Sequence, residues 1–274
     1  MEAEQRQPLP EIPLTTYDDA VIRVRDFTGG YGDLELMRNV QFDVRRGEVF
    51  GVLGGSGCGK TTLLRTMIGL VEPLAGTIEI LGRDIGSAYA EERAEILRQI
   101  GVMYQQGALF GSMTLLENVC VPLEEHTKLS ARAREVLARS KLQMVNLGGY
   151  EDFLPNEISG GMRKRAAIAR AMALDPQILF LDEPSAGLDP VTSADLDRLI
   201  LRLSRSLGLT FVMVTHELPS IFAVVDRCVM LDKIACGMVA IGKPREMAEH
   251  PPHEIVSHFF NREASEEPPE VTAS

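Results

Sequence analysis

The sequence predicts an α/β fold, with a parallel-stranded core, an antiparallel β layer near the N-terminus and an inserted helical lobe. Three observations predict it. Three short runs are almost continuously apolar, strand and helix patterns alternate along the chain, and one apolar run leads straight into "GGSGCGKTT" (Gly54 to Thr62). At 274 residues the chain is long enough to bury a substantial core.

Taken in order, the opening "MEAEQRQPLPEIPL" has neither a basic n-region nor an apolar h-region, so no secretory signal is expected. Residues 1–19 are expected to form a disordered tail. "VIRVRDFT", "VQFDVRRG" and "GTIEILG" are β-rich runs bounded by turn residues, which predicts the antiparallel layer. "EVFGVL", "QILFL" and "TFVMVT" lack polar alternation, as parallel strands covered on both faces do. Between residues 106 and 165 helical patterns dominate, exemplified by "SARAREVLARSKLQMVNL", which predicts a helical lobe inserted between two core strands. In "LDRLILRLSRSL" an apolar stripe of Leu196, Leu199, Ile200, Leu203 and Leu207 faces the core, while Arg198, Arg202 and Arg205 point away as a solvated face. The main domain is expected over 20–250. A short helix carrying Ile255, Val256, Phe259 and Phe260 and an acidic tail should fill 251–274.

Composition narrows the function. Of the net charge of −11, the two terminal tails carry −4 and −3, leaving −4 on the body, so nucleic acid is not an expected partner. No run approaches eighteen apolar residues, so no membrane crossing is expected. The four cysteines show no paired CxxC spacing and read as reduced, with no zinc site. His250, His253 and His258 lack partner ligands for a metal.

The chemistry begins at Gly54. "GGSGCGKT" fits G-x-x-x-x-G-K-[ST] between a strand and a helix, which makes this a P-loop NTPase core. Small residues at Gly54, Gly55, Ser56, Gly57, Cys58 and Gly59 let backbone N–H groups converge on phosphate oxygens at a helix N-terminus. Lys60 is placed to reach the β- and γ-phosphates and Thr61 to hold Mg²⁺, with Thr62 completing the cradle. The helix N-terminus should depress the Cys58 pKa and make the thiol reactive, although a small residue that merely fits is the competing reading. "QILFLDEP" ends a buried strand in two acids, which assigns Asp182 to the metal and Glu183 to polarising the attacking water. With an ordinary glutamate pKa near 4.3, Glu183 is ionised at pH 7. "FVMVTHE" ends another strand at His216, whose neutral imidazole is expected to bridge γ-phosphate and water.

A second glycine turn then needs a reason. Ser159, Gly160 and Gly161 precede the helical run "MRKRAAIARAMAL", making another anion site that one nucleotide hardly requires. The phosphate loop, "ISGGM", "LFLDEP", "SAGLD" and "VTH", in this order over residues 21–245, resemble an ABC transporter nucleotide-binding domain. In that family two subunits pair head to tail, and the Ser-Gly-Gly turn of one closes over the ATP of the other. The resemblance implies a homodimer binding ATP and Mg²⁺, with Ser159, Gly160 and Gly161 capping the partner's nucleotide. It also implies Tyr31 stacking on adenine, Gln105 contacting Mg²⁺ and sensing a permease, and Asp189 at the dimer contact. Gln105 is preferred to Gln106 because it directly follows "VMY". Met162 departs from the glutamine common at its position.

"GALFGSMTLLENVCVPLEEHTKLS", "SGGMRKRAAIARAMALDP" and "HELPSIFAVVDRCVMLD" look like the ATPases of Mla/Mce-type phospholipid transport systems. That resemblance implies a place on the cytoplasmic face of the inner membrane, an integral-membrane permease and a lipid-binding Mce-type accessory subunit. Excess apolar residues between Leu109 and Leu123 divide between lobe packing and a site for a permease helix. Lipoprotein release, amino-acid uptake, iron–sulfur assembly and a regulatory nucleotide-binding module are the competing functions. Chromosome maintenance is disfavoured because no sustained heptads are present.

Overall fold

The computed structural model describes residues 12–262. The parts of both expected tails at 1–11 and 263–274 lie outside the described residues. Within 12–19, Tyr17 donates its backbone N–H to the Asp43 carboxylate (3.0 Å), and the Arg45 and Arg227 guanidiniums lie 4.9 and 4.7 Å from its ring centroid.

The chain begins with β1 (Ala20–Tyr31) and β2 (Leu34–Arg45), which pair antiparallel. β3 (Val49–Gly54) is buried throughout and runs through the phosphate loop into α1 (Lys60–Met67). β4 (Ala75–Ile80) and the two-residue β5 (Arg83–Asp84) complete a four-stranded antiparallel sheet in the order β2-β1-β4-β5. The three runs expected in this layer are therefore β1, β2 and β4.

After α2 (Ala90–Arg98) comes β6 (Ile100–Met103), followed by the helices α3 (Leu115–His126), α4 (Ala131–Met144) and α5 (Gly160–Ala171). These three helices lie between β6 and its parallel neighbour β7 (Ile178–Asp182), and α5 continues past residue 165. Then follow α6 (Pro190–Leu207), β8 (Thr210–Val214), α7 (Leu218–Val224), β9 (Arg227–Asp232), β10 (Gly237–Gly242), α8 (Pro244–Glu249) and α9 (Glu254–Asn261). The second sheet has the order β10-β9-β3-β8-β7-β6, parallel except for β10. β6 and β9 join the three parallel strands that sequence patterning singles out. A four-residue strand with Gly101 inside it sits at the lower limit of what an apolar run can reveal.

The sheet separates two apolar cores. One lies between the two sheets and around α1, where the Phe42 and Phe50 rings stack at 5.1 Å. The other packs α3, α5, α6 and α7 on the opposite face. Local sequence starts these helices decisively. Thr114 and Glu117 form a capping box for α3, and the Asp189 carboxylate accepts the N–H groups of Val191 and Thr192 at the start of α6. Leu196, Leu199, Ile200 and Leu203 are buried as the stripe predicts, but Leu207 is 48% exposed. It occupies the last turn of α6, where Gly208 in left-handed conformation ends the helix before the stripe reaches the core again.

Leu115, Val119 and Leu123 bury into the second core, whereas Phe110 is exposed. α9 docks on its own chain: Val256 and Phe260 are buried, and the Phe260 ring lies 5.5 Å from Phe222 of α7. His253 caps α9, its Nδ1 accepting the Ile255 N–H. No helix among the described residues is long and apolar enough to cross a membrane.

Candidate nucleotide site

Four adjacent parallel strands, β3, β8, β7 and β6, present their carboxyl ends along one edge of the sheet. The phosphate loop leaves β3, Thr215 and His216 leave β8, Asp182 and Glu183 end β7, and Gln105 follows β6. This is the crevice in which open α/β sheets bind ligands. Backbone bonds tie the edge together: Glu183 N–H donates to Val214 O (2.9 Å) and Thr215 N–H to Val52 O (3.4 Å).

The loop turns sharply at Gly54, where φ is 144° and a Cβ would lie 2.2 Å from the Leu231 carbonyl oxygen. No L side chain fits there. The Lys60 ammonium donates to the Gly54 (2.9 Å) and Gly55 (2.7 Å) carbonyls. Gly55, Ser56, Gly57 and Thr61 are exposed, Gly59 is half-buried, and Thr62 and Cys58 are buried. Cys58 does not behave as the helix-terminus argument expects. Burial pushes its thiol pKa up, and the nearby Lys60 charge offsets this only in part.

Asp182 is half-buried, and its carboxyl pKa is raised first by burial and then by the neighbouring Glu183. Glu183 stands at φ 46° with its side chain 13% exposed. Its Oε1 lies 2.8 Å from His216 Nδ1, while its Oε2 is buried with no hydrogen-bond partner. The His216 ring is 61% exposed. An ionised carboxylate makes Nδ1 the protonated nitrogen of the neutral ring, leaving Nε2 an acceptor. The neutral ring can therefore take a hydrogen bond from water, but only the imidazolium can donate to phosphate.

Tyr31 is 46% exposed at the end of β1, its hydroxyl 3.5 Å from both Thr62 Oγ1 and Arg65 Nη1. Hydrogen bonds from those two groups lower its pKa. The Gln105 and Gln106 side chains are both exposed, and the Gln105 carbonyl accepts from Lys164 Nζ.

Ser159, Gly160 and Gly161 belong to a different grouping. Ser159 caps α5, its Oγ accepting the Met162 N–H (3.2 Å). A Cβ on Gly161 would lie 2.3 Å from Thr192 Cγ2, so glycine permits the starts of α5 and α6 to touch. Asp189 sits at that junction, and its carboxyl pKa is lowered chiefly by the Thr192 hydroxyl. The structure thus brings together Lys60, Thr61, Asp182, Glu183, His216 and Gln105 at one edge, and Ser159, Gly160, Gly161 and Asp189 at another place.

Sequence reasoning missed Lys164. Only 7% exposed, it reaches from α5 to the Gln105 carbonyl and to the Glu183 carbonyl (3.3 Å). A lysine on the side of α5 that also carries Gly161, Ala167 and Ile168 was the available signal.

The site's chemistry fits Mg²⁺-ATP. Asp182, with its ionised form disfavoured by burial, gains from a cation, and the orphaned Glu183 Oε2 is a free acceptor for water. Comparison with known proteins supports the nucleotide. The family model described as "ABC transporter" matches residues 37–186. The "Probable ribonucleotide transport ATP-binding protein mkl" of Mycobacterium leprae (strain TN) is 43% identical over 240 residues, covering 88% of this chain and 68% of its own length. The "Intermembrane phospholipid transport system ATP-binding protein MlaF" of Escherichia coli (strain K12) is 36% identical over 232 residues, covering 84% and 85%. Among solved structures, the dimeric ATP-binding cassette MJ0796 in a post-hydrolysis state bound to ADP and Pi superposes with a TM-score of 0.72 at 30% identity, covering 81% of this chain and 98% of its own. Sequence motifs, strand-edge geometry and relatives together place the chain in the ABC transporter family, as an ATP-binding ATPase subunit.

Proposed function

We propose that the chain powers a phospholipid transporter as a homodimer with two shared ATP sites. The observation that carries the shared site is the grouping of Ser159–Gly161 with Asp189 at the α5/α6 junction, a second small-residue turn at a helix start besides the one that carries Lys60. Relatives bearing transport names support the cargo reading, MlaF through its phospholipid system. The same reading takes 20–250 as the ATPase domain, 106–165 as its inserted lobe and 251–274 as a C-terminal extension.

In this mechanism the loop amides from Gly54 to Thr62 and Lys60 bind the phosphates, and Tyr31 stacks on adenine. To reach the β- and γ-phosphates, the Lys60 ammonium gives up its bonds to the Gly54 and Gly55 carbonyls. Thr61, Asp182 and Gln105 would hold Mg²⁺, which supplies charge neutralisation and alignment of the phosphates. Glu183 accepts the proton of the attacking water through its unpartnered oxygen, and His216 holds that carboxylate through Nδ1. Ser159, Gly160 and Gly161 of the opposite copy close over the γ-phosphate, and Asp189 lines the contact. Hydrolysis removes the γ-phosphate that joins the copies, so the pair reopens and passes motion through the Gln105 segment to a permease. The exposed Phe110 and half-buried Leu109 beside that segment offer the permease an apolar foothold.

The subunit then sits peripherally on the cytoplasmic face of the inner membrane, held by its permease and served by an Mce-type lipid-binding subunit. Copurification of the tagged protein from membranes, with mass spectrometry of partners and lipid, tests the cargo. A permease, an Mce-type subunit and bound phospholipid support the reading; a permease complex free of lipid overturns it. The higher identity to mkl favours a second reading, ribonucleotide transport, for which that complex would retain nucleotide-derived cargo.

A further inference from the structure

Lys164 lies just over one turn into α5, the helix that Ser159 caps. Its ammonium donates to two backbone carbonyls on separate strand ends, Gln105 after β6 and Glu183 after β7. Neither bond is an ion pair: the ammonium holds main chain directly, while the Glu183 and Asp182 carboxylates act on its charge from a distance. Six residues on, the Arg170 guanidinium donates to Ala108 O (2.7 Å) and Gly107 O (3.0 Å). The 105–108 stretch is therefore fastened to α5 at three carbonyls. Ala108 (φ 50°) and Glu183 (φ 46°) are left-handed, a costly conformation for residues with a Cβ, and the carbonyl of each accepts from one of these cations. Of the two cations, Lys164 is the one that also reaches Glu183.

We propose that Lys164 is a positioning residue that ties the start of α5, the Gln105 loop and the Glu183 main chain into one moving unit. The proposal rests on the reading of Glu183 as general base. A displacement of α5, whose first turn carries the anion site for a second copy, then changes the aim of Glu183 and the loop together. Charge-assisted bonds to both carbonyls make intermediate arrangements costly, because releasing either carbonyl leaves a poorly solvated ammonium short of a partner.

The test uses the full chain with Lys164→Met, Lys164→Arg and, as a control, Glu183→Gln. Lys164→Met is expected to lower kcat about tenfold, the order expected from losing one hydrogen bond to a charged donor, while KM for ATP stays within about twofold. Hydrogen exchange should rise together in 104–108 and 183–185 and nowhere else, with Tm kept. Lys164→Arg, retaining charge and donors, should recover most of kcat. If Lys164→Met fails to fold, Lys164→Gln, with a polar head but no charge, is expected to give the same split at smaller size. Unchanged kcat in a folded, uncharged variant overturns the proposal, provided that Glu183→Gln is inactive. So does a loss of kcat accompanied by a general fall in Tm and exchange protection throughout the lobe. Full turnover in Glu183→Gln instead removes the general-base reading, and the exchange pattern then tests the tie independently: a joint rise in both segments supports it, and no rise overturns it.

Discussion

At the scale of single residues, burial and hydrogen bonding decide roles that residue type leaves open. Glu183 combines one oxygen bonded to His216 with one buried, unpartnered oxygen at the strand edge. Glu183→Gln is expected to slow hydrolysis by about 10²–10⁴, the range of general acid–base catalysis, while ATP-bound dimer accumulates on gel filtration. Turnover near the wild-type rate in that variant removes Glu183 from the role. Asp182 carries a stability cost that comes from burial. Its folded pKa lies above the unfolded value, so the folded state holds the proton more tightly, and stability falls as pH rises through the unfolded and then the folded pKa. Above both, the cost is fully present. Asp182→Asn should therefore raise Tm at pH 7 without nucleotide and abolish Mg²⁺-dependent turnover, whereas a lower Tm speaks against burial as the dominant influence. Cys58 shows the limit of reading a thiol from its place before a helix: the neighbourhood is right, but the sulfur is buried. Timed alkylation of the native protein should modify half-buried Cys120 before Cys58, and the reverse order restores the reactive reading.

At the scale of elements, the apolar stripe of α6 was legible because it is local. The 3.6-residue stripe orients α6 correctly up to Leu203, and the structure adds Asp189 and Pro190 at its start. The exposed Leu207 was not legible, since the stripe continues in sequence after the helix has left its core. β6 escaped for the opposite reason, because four residues contain too little pattern. Lys164 depends on three elements meeting, and spacing along one chain segment cannot show that. Leu199→Ala, in the middle of the α6 stripe, should cost about 2–5 kcal/mol in urea unfolding, the range for emptying a buried leucine site. A cost under about 0.5 kcal/mol, the level of ordinary surface substitutions, contradicts its placement in the core.

At the scale of the whole molecule, order along the chain was enough to foresee one ligand edge. Loops after β3, β6, β7 and β8 gather there because the parallel strands are neighbours in the sheet. The second glycine turn was legible as small residues at a helix start, while its junction with Asp189 emerged from the α5/α6 contact. A shared site requires that each ATP use Lys60 of one copy and Ser159 of the other. The direct measurement mixes two inactive homodimers, Lys60→Ala and Ser159→Arg, and follows ATP hydrolysis after subunit exchange. Shared sites predict recovery to at most about a quarter of the wild-type rate, since half the dimers are mixed and each has one intact site of two. A double variant mixed with wild-type chains should add no activity in its mixed dimers. Sites built within one chain give the reverse: no recovery from the first mixture, and one working site in each mixed dimer of the second.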